Sequence, residues 1–159
     1  MNNIFEIKKF YTIIFIISLL SLMIALYIEF YLGYSPCKLC IYQRIPYLIA
    51  IFLTFLGISY SKNLIWLYAL LLIFFFSSLL SGYHVGIEQK IFEEFSGCTG
   101  SSLNIIDKNE LLKLLNSKVN SCKNVDFQIL GLSLATINFL LSFIIFILIL
   151  KVIKNEKNK

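Results

Sequence analysis

The sequence predicts an all-α membrane protein, a bundle of four transmembrane helices with one long polar loop between the third helix and the fourth. Hydrophobic residues make up 58% of the 159 residues and charged residues only 14%, which is too apolar for an ordinary soluble domain. The charges are clustered, so that four uncharged windows remain at 10–28, 45–61, 63–87 and 127–150. Each window is long enough to cross a hydrocarbon core of ~30 Å as a helix, and none alternates like a barrel strand.

These windows predict a single domain over 1–159, with helices at about 10–30, 45–60, 64–84 and 128–150. The apolar run of the first helix is longer than a signal-peptide core, and no small-residue cleavage site follows it, so we expect an uncleaved helix. Pro46 is predicted in the first turn of the second helix, where its missing N–H costs little. If that helix began nearer Cys40, Pro46 should kink it.

The polar stretch at about 85–127 is predicted to form the long loop and to carry short amphipathic helices. Apolar residues at helical spacing are interleaved with charged ones, first over Ile87–Phe95 and again over Leu111–Val119. Such helices either lie in the bilayer interface or pack on the bundle. Both arrangements hold the loop near the membrane surface.

The lysines predict the orientation in the membrane. With four spans, both termini lie on the same side as the turn at Lys62, and this side holds seven lysines and two glutamates. The long loop holds five lysines and six acidic residues. The positive-inside rule therefore predicts cytoplasmic termini and a long loop on the opposite side. Basic and aromatic residues are not interleaved as in nucleic-acid-binding proteins, so membrane lipid is expected as a partner and nucleic acid is not.

Two pairs of cysteines lie on the outward side in this topology. Cys37 and Cys40 form a Cys-x-x-Cys motif between the first two helices, and Cys98 and Cys122 lie in the long loop. A disulfide in the first pair closes too small a loop to be an effective staple, so we expect its value to be chemical. The second pair could be a plain staple worth ~3 kcal/mol, but beside a redox pair it can also supply electrons. The outward position indicates an oxidising compartment, the bacterial periplasm or the endoplasmic reticulum lumen.

Two further residues are candidates for the same chemistry. Arg44, the only arginine of the chain, follows Cys40 by about one helical turn. There it could lower a cysteine pKa or hydrogen-bond the carbonyl oxygen of an electron acceptor; the alternative is an arginine that reaches to the headgroups. His84, the only histidine, could handle protons or contact the acceptor, or it could be a polar anchor at the interface. No metal is expected, because the separation of Cys98 and Cys122 is unlike the paired cysteines of zinc sites.

Several segments, in this order, resemble the DsbB family of bacterial disulfide-bond formation proteins: Pro36–Arg44, Tyr83–Glu88, Cys98–Gly100, Cys122 and Leu130–Ala135. The resemblance covers about residues 10–150. It implies a quinone-dependent thiol oxidase of the bacterial inner membrane with cytoplasmic termini and both cysteine pairs in the periplasm. The chain departs from the family in its lysine- and asparagine-rich loop without tryptophan; its only tryptophan is Trp66.

The resemblance also implies an order of electron transfer. A reduced DsbA-like thiol oxidase of the periplasm attacks Cys98, and the Cys122 thiol that is released attacks Cys37. Cys40 then becomes a thiolate that faces ubiquinone or menaquinone from the membrane pool, with Arg44 beside it. Two electrons reduce the quinone to quinol, and the disulfide between Cys37 and Cys40 re-forms.

Three alternatives stay open from the sequence. A vitamin K epoxide reductase homologue is also a four-helix redox protein, but its loop pair precedes the Cys-x-x-Cys motif, and here it follows. A membrane thiol-disulfide reductase would send electrons outward through the same cysteines. A non-enzymatic membrane protein with two structural disulfides would function without Cys37 and Cys40, and it gives Arg44 no reason to follow them.

Overall fold

The computed structural model describes residues 2–60, 63–93, 128–129 and 131–158. In chain order, this described part forms α1 (Asn2–Phe30), α2 (Lys38–Tyr42), α3 (Ile45–Ser59), α4 (Ile65–Glu88), β1 (Gln128–Ile129), β2 (Leu132–Ser133) and α5 (Leu134–Lys157). Four helical stretches are long and apolar enough to cross a membrane: Glu6–Phe30, Lys38–Ser59, Ile65–Glu88 and Leu134–Lys157. The predicted four-helix membrane bundle is confirmed, and the chain is a multi-pass membrane protein.

The helices pack as a chain of neighbours, with α3 between α1 and α4, and α4 against α5. Large apolar side chains such as Tyr11, Leu70 and Phe74 are buried in this core. Serine and threonine hydroxyls are buried with them, at Ser18, Thr54, Ser77, Ser81 and Ser142. Many large apolar side chains point outward instead, as expected where lipid is the solvent and small or polar residues hold the helices together.

The second span consists of two helices. α2 ends at Tyr42 and α3 begins at Ile45, with Pro46 in the first turn of α3. Pro46 has no N–H for the carbonyl of Tyr42, four residues earlier, and its ring would collide with that carbonyl in a continuous helix. Helical structure therefore begins close to Cys40, as one reading of the sequence allowed, but a break at Gln43 and Arg44 takes the place of the expected kink.

Several helix ends differ from the predicted ones. α1 and α5 extend beyond the apolar windows into charged residues, and α4 continues to Glu88. The predicted beginning of the fourth helix was wrong. The residues predicted as its first turns, from 128, belong to the antiparallel hairpin of β1 and β2, and α5 begins only at Leu134. Gly131, with φ +80°, makes the turn, and Ser133 caps α5 by accepting a hydrogen bond from the N–H of Thr136 (3.1 Å). Hydropathy marks the apolar region, whereas caps and turns decide where a helix ends.

Part of the predicted loop is visible at its beginning. The first amphipathic segment is partly the last turn of α4, and the chain then turns at Gln89 and Lys90. The second amphipathic helix, over Leu111–Val119, lies outside the described residues, as do Cys98, Cys122 and Lys62.

Candidate redox site

Cys37 and Cys40 lie at the beginning of α2. Cys37 is the N-cap residue, with extended backbone, and its Sγ accepts a hydrogen bond from the backbone N–H of Cys40 (3.2 Å). An N-cap side chain meets the N–H three residues later, so the spacing of the motif itself brings the two side chains to one helix end. The two Sγ atoms are 2.8 Å apart, and both cysteines are free thiols. The pair is arranged to interconvert between a dithiol and a disulfide.

His84 is brought to this pair by α4. Its Nε2 lies 3.6 Å from Sγ of Cys37, and both side chains are buried. Leu39 of α2 and Ile87 of α4 form the small apolar cluster that packs the two helices together around the sulfur atoms. The structure therefore unites three of the predicted site residues, and it places His84 against the buried Cys37, while Cys40 is partly exposed.

The environment of Cys37 disfavours its thiolate. The hydrogen bond with Cys40 and burial together raise the pKa of Cys37 from 9.0 to about 12, and the hydrogen bond with His84 acts in the opposite direction. A thiol with this pKa stays protonated at neutral pH. In the reduced pair, Cys37 therefore keeps its proton and directs it toward Sγ of Cys40.

Alkylation of the reduced protein should show this high pKa. Because the thiolate is the nucleophile, we expect iodoacetamide to modify Cys37 slowly up to pH 9, and the rate to keep rising toward pH 12. His84→Phe removes the contact that lowers the pKa, so alkylation at a given pH should become slower still. Trypsin cuts after Lys38, so mass spectrometry reads the two cysteines on separate peptides. A midpoint near 9 that is insensitive to His84→Phe would contradict this account.

Arg44 is joined to a carboxylate. Its Nη1 forms a part-buried ion pair with Oε2 of Glu29, which links the end of α1 to the beginning of α3 close to the cysteine pair. Sequence spacing did not indicate this partner, because the two residues lie on different helices. A part-buried guanidinium paired with a fixed carboxylate is held in one orientation.

A chain of buried and part-buried polar side chains leads from His84 into the bundle. Nδ1 of His84 lies 2.9 Å from Nε2 of Gln43, and Oε1 of Gln43 accepts a hydrogen bond from Nδ2 of Asn138 (3.0 Å). Oδ1 of Asn138 accepts in turn from the hydroxyl of Tyr47. Beyond Tyr47 the contacts continue through Ser142 (3.1 Å) and Ser77 (3.0 Å). α2, α3, α4 and α5 are thereby connected through one set of hydrogen bonds.

Sequence reasoning missed Gln43 and Asn138 as parts of the site. The available signal was their polarity: Gln43 follows Cys40 by three residues, and Asn138 lies inside an apolar span. Polar side chains in a membrane span face the bundle interior and find partners there. Which partners they find depends on tertiary packing.

An acidic group lies on the other side of His84. Oε1 of Glu88 is 3.8 Å from Nε2 of His84, and Oε2 of Glu88 accepts a hydrogen bond from Ser133. The distance to His84 is too long for a hydrogen bond. The hairpin and the beginning of α5 thus close the site beside the end of α4.

The donor atoms of Cys37, Cys40 and His84 lie within 4.8 Å of one another. Structural zinc sites are closed by four protein ligands, and within the described part of the chain this group offers three. The short contact between the two sulfur atoms matches a dithiol that becomes a disulfide. We therefore interpret the group as a candidate redox site.

Comparison with known proteins places the chain in a family. The sequence model of the family described as "Disulfide bond formation protein DsbB" matches residues 8–152. The chain is 38% identical over 119 residues to the Disulfide bond formation protein B of Methylococcus capsulatus (69% of this chain, 71% of the relative). It is 28% identical over 119 residues to the protein of that name in Xylella fastidiosa (69% and 68%). An uncharacterised protein of Rickettsia prowazekii is 30% identical over 131 residues (79% and 76%). With the cysteine pair at the end of a membrane span, these matches show that the chain belongs to the DsbB family of disulfide bond formation proteins.

Proposed function

We propose that this protein is a quinone-dependent thiol oxidase of the bacterial inner membrane, which reoxidises a periplasmic DsbA-like partner. The observation that carries the proposal is the position of the cysteine pair. Cys37 is buried against His84, whereas Cys40 is partly exposed next to Ile41 and Tyr42, whose side chains are about half exposed on the outside of the bundle. A lipid-soluble acceptor can approach Cys40 from the bilayer, which a soluble oxidant cannot do as easily.

The residues around Cys40 fit a quinone. Apolar side chains suit its ring and tail, and the guanidinium of Arg44 suits a carbonyl oxygen. Bound there, a quinone would supply an acceptor for two electrons and two protons. We propose that Glu29 orients Arg44 for this contact through their ion pair.

The thiol chemistry then follows from the cysteines. In the proposed order, a partner thiolate attacks Cys98, forms a mixed disulfide and releases Cys122, which attacks Sγ of Cys37. Formation of the new bond breaks the bond from Cys37 to Cys40, so Cys40 leaves as a thiolate at the exposed side of the pair. The second partner thiol then displaces Cys98 and completes the partner disulfide. Cys98 attacks Cys122, so that the loop disulfide re-forms and Cys37 leaves, and Cys37 re-forms its disulfide with Cys40 as the pair gives two electrons to the acceptor. Over one cycle the partner dithiol loses two electrons and two protons. Since a DsbA-type partner is a strong oxidant, its reoxidation requires an acceptor of still higher potential.

The location of the site is proposed from charge. The lysine-rich side of the bundle would be cytoplasmic, and both cysteine pairs would face the periplasm. This orientation brings the pair into the compartment where disulfides form.

Turnover with purified components tests the proposal. We expect purified protein in nanodiscs, given a reduced DsbA-like partner and ubiquinone or menaquinone, to reduce one quinone for each partner disulfide formed. Glu29→Gln should raise the KM for quinone more than it changes kcat, and Lys38→Gln, an exposed change within the motif, serves as the control.

The same assay separates the alternatives. Reduction of an oxidised partner by quinol, without the forward reaction, would indicate a membrane reductant. Absence of turnover with both quinones, in folded protein with oxidised cysteine pairs, would indicate structural disulfides.

A further inference from the structure

The hydrogen-bond chain behind His84 has a direction. The hydroxyl of Tyr47 donates to Oδ1 of Asn138, so Nδ2 of Asn138 is free to donate to Oε1 of Gln43. With its oxygen occupied in this way, Gln43 presents its Nε2 to His84. An amide nitrogen is only a donor. In the structure, each amide thus turns its oxygen toward the group behind it and its nitrogen toward His84.

This direction fixes the proton on the imidazole. A donor 2.9 Å from Nδ1 requires Nδ1 to accept, so a neutral His84 carries its proton on Nε2. The Nε2–H then faces Sγ of Cys37 at 3.6 Å. An imidazolium would instead place a second N–H against the Gln43 amide, donor against donor. The carboxylate of Glu88, 3.8 Å from Nε2, is too far away to compensate for this contact between two donors with a hydrogen bond of its own.

We propose that Gln43, held by Asn138 and Tyr47, is a positioning residue that keeps the neutral imidazole of His84 in the tautomer with its proton on Nε2, as a hydrogen-bond donor to the sulfur of Cys37. His84 is then neither a proton acceptor nor a quinone ligand, in contrast to the two roles that the sequence suggested for it. The arrangement of protons follows from the contacts alone; its use in turnover rests on the proposed function.

The N–H of His84 affects the chemistry of the Cys37 sulfur atom. Two N–H groups converge on it, the backbone N–H of Cys40 at 3.2 Å and the imidazole N–H of His84 at 3.6 Å. Fixed donors of this kind stabilise negative charge where it develops. In the proposed cycle, charge develops on Cys37 whenever a disulfide bond to it breaks with Cys37 as the leaving group. A neutral donor supports that step without adding a permanent charge to a buried site.

The single histidine makes the proposal directly measurable. In protein labelled with ¹⁵N-histidine and with both cysteine pairs reduced, the two ring nitrogens of His84 give unambiguous signals that distinguish the tautomers and the imidazolium. In the neutral imidazole, we expect the proton on Nε2. No partner and no quinone are needed, so the proposed function can fail while this result stands, and the reverse.

Gln43→Glu supplies the decisive variant. A carboxylate at this position only accepts hydrogen bonds, so it should draw the proton of the neutral imidazole to Nδ1. Gln89→Glu is the matched control: it is the same substitution on an exposed residue just beyond α4, and it should leave the proton on Nε2. Among the described residues, the other titratable groups that face His84 are Cys37, Cys40 and Glu88, and both variants leave them in place.

Three results would overturn the proposal. These are a proton on Nδ1 in the neutral wild-type imidazole, a proton that stays on Nε2 in Gln43→Glu, and the same change of tautomer in both glutamate variants. If Gln43→Glu does not fold, Tyr47→Phe provides a milder test. It removes the hydroxyl that orients Asn138, so the Nε2–H tautomer should lose population to the Nδ1–H form. An unchanged tautomer ratio in Tyr47→Phe would contradict the proposed orientation chain.

Discussion

Cys40→Ser is expected to reduce quinone turnover to background, a loss of about 10³-fold or more, the scale typical of removing a reacting nucleophile. Serine keeps the size of the side chain and its place near Sγ of Cys37, so the start of α2 should be preserved. It cannot form the disulfide, and it cannot leave as a thiolate at the exposed side of the pair. Stopped-flow absorbance of the quinone, with a reduced DsbA-like partner, measures the loss.

The two single-cysteine variants should also stop in different states. With Cys40→Ser, the Cys37 thiol can still attack Cys122 of the loop disulfide, so a disulfide between Cys37 and Cys122 should form while Cys98 is released as a thiol. With Cys37→Ser, this species cannot form. Mass spectrometry under non-reducing conditions separates the two cases, and Lys38→Gln should retain turnover in the same preparation. Substantial quinone reduction by Cys40→Ser would show that electrons leave the protein by another route.

The spans could be predicted from the sequence because the free energy of transferring a helix into lipid is roughly a sum over its residues. An apolar window of sufficient length must be helical in lipid, since no water is present to satisfy its backbone groups. Helix ends are not set by the same rule. The break after Tyr42 and the hairpin before Leu134 depend on a proline, a glycine in a left-handed conformation and a serine cap. These are local features that a hydropathy window averages away.

The site was predictable only where its residues are close in sequence. Cys37 and Cys40 form a pair by their spacing, and α2 arranges them as an N-cap pair. The contact of Cys37 with His84 spans two helices, and so do the pairing of Arg44 with Glu29 and the chain through Gln43. No local spacing indicates such contacts. The polarity of these side chains inside membrane spans was the signal available in advance, and it was not used for Gln43.

The bundle also depends on a close approach of α1 to α3, where we expect Gly57→Ala to be strongly destabilising. A Cβ at Gly57 would lie 2.5–2.8 Å from the ring atoms Cε1, Cζ and Cδ1 of Tyr11. The ring of Tyr11 is completely buried, so it cannot swing away without disturbing its neighbours. Overpacking of this kind costs about 1–3 kcal/mol of the free energy of unfolding. In an unhindered helix the same substitution would stabilise by up to ~1 kcal/mol, so the sign of the effect is diagnostic.

Gly86→Ala is the matched control for Gly57→Ala. A Cβ at Gly86 would also meet an aromatic ring, that of Phe92, at very short distance. Phe92 is 49% exposed at the end of α4, so its ring can rotate outward at little cost. Unfolding in mixed micelles with increasing SDS measures the stability. We therefore expect Gly57→Ala to be much less stable than wild type and Gly86→Ala to be about as stable as wild type. Tyr11→Leu should relieve much of the penalty of Gly57→Ala, because residues in contact give non-additive effects. Equal stability of the two alanine variants would show that packing against Tyr11 does not set the distance between α1 and α3.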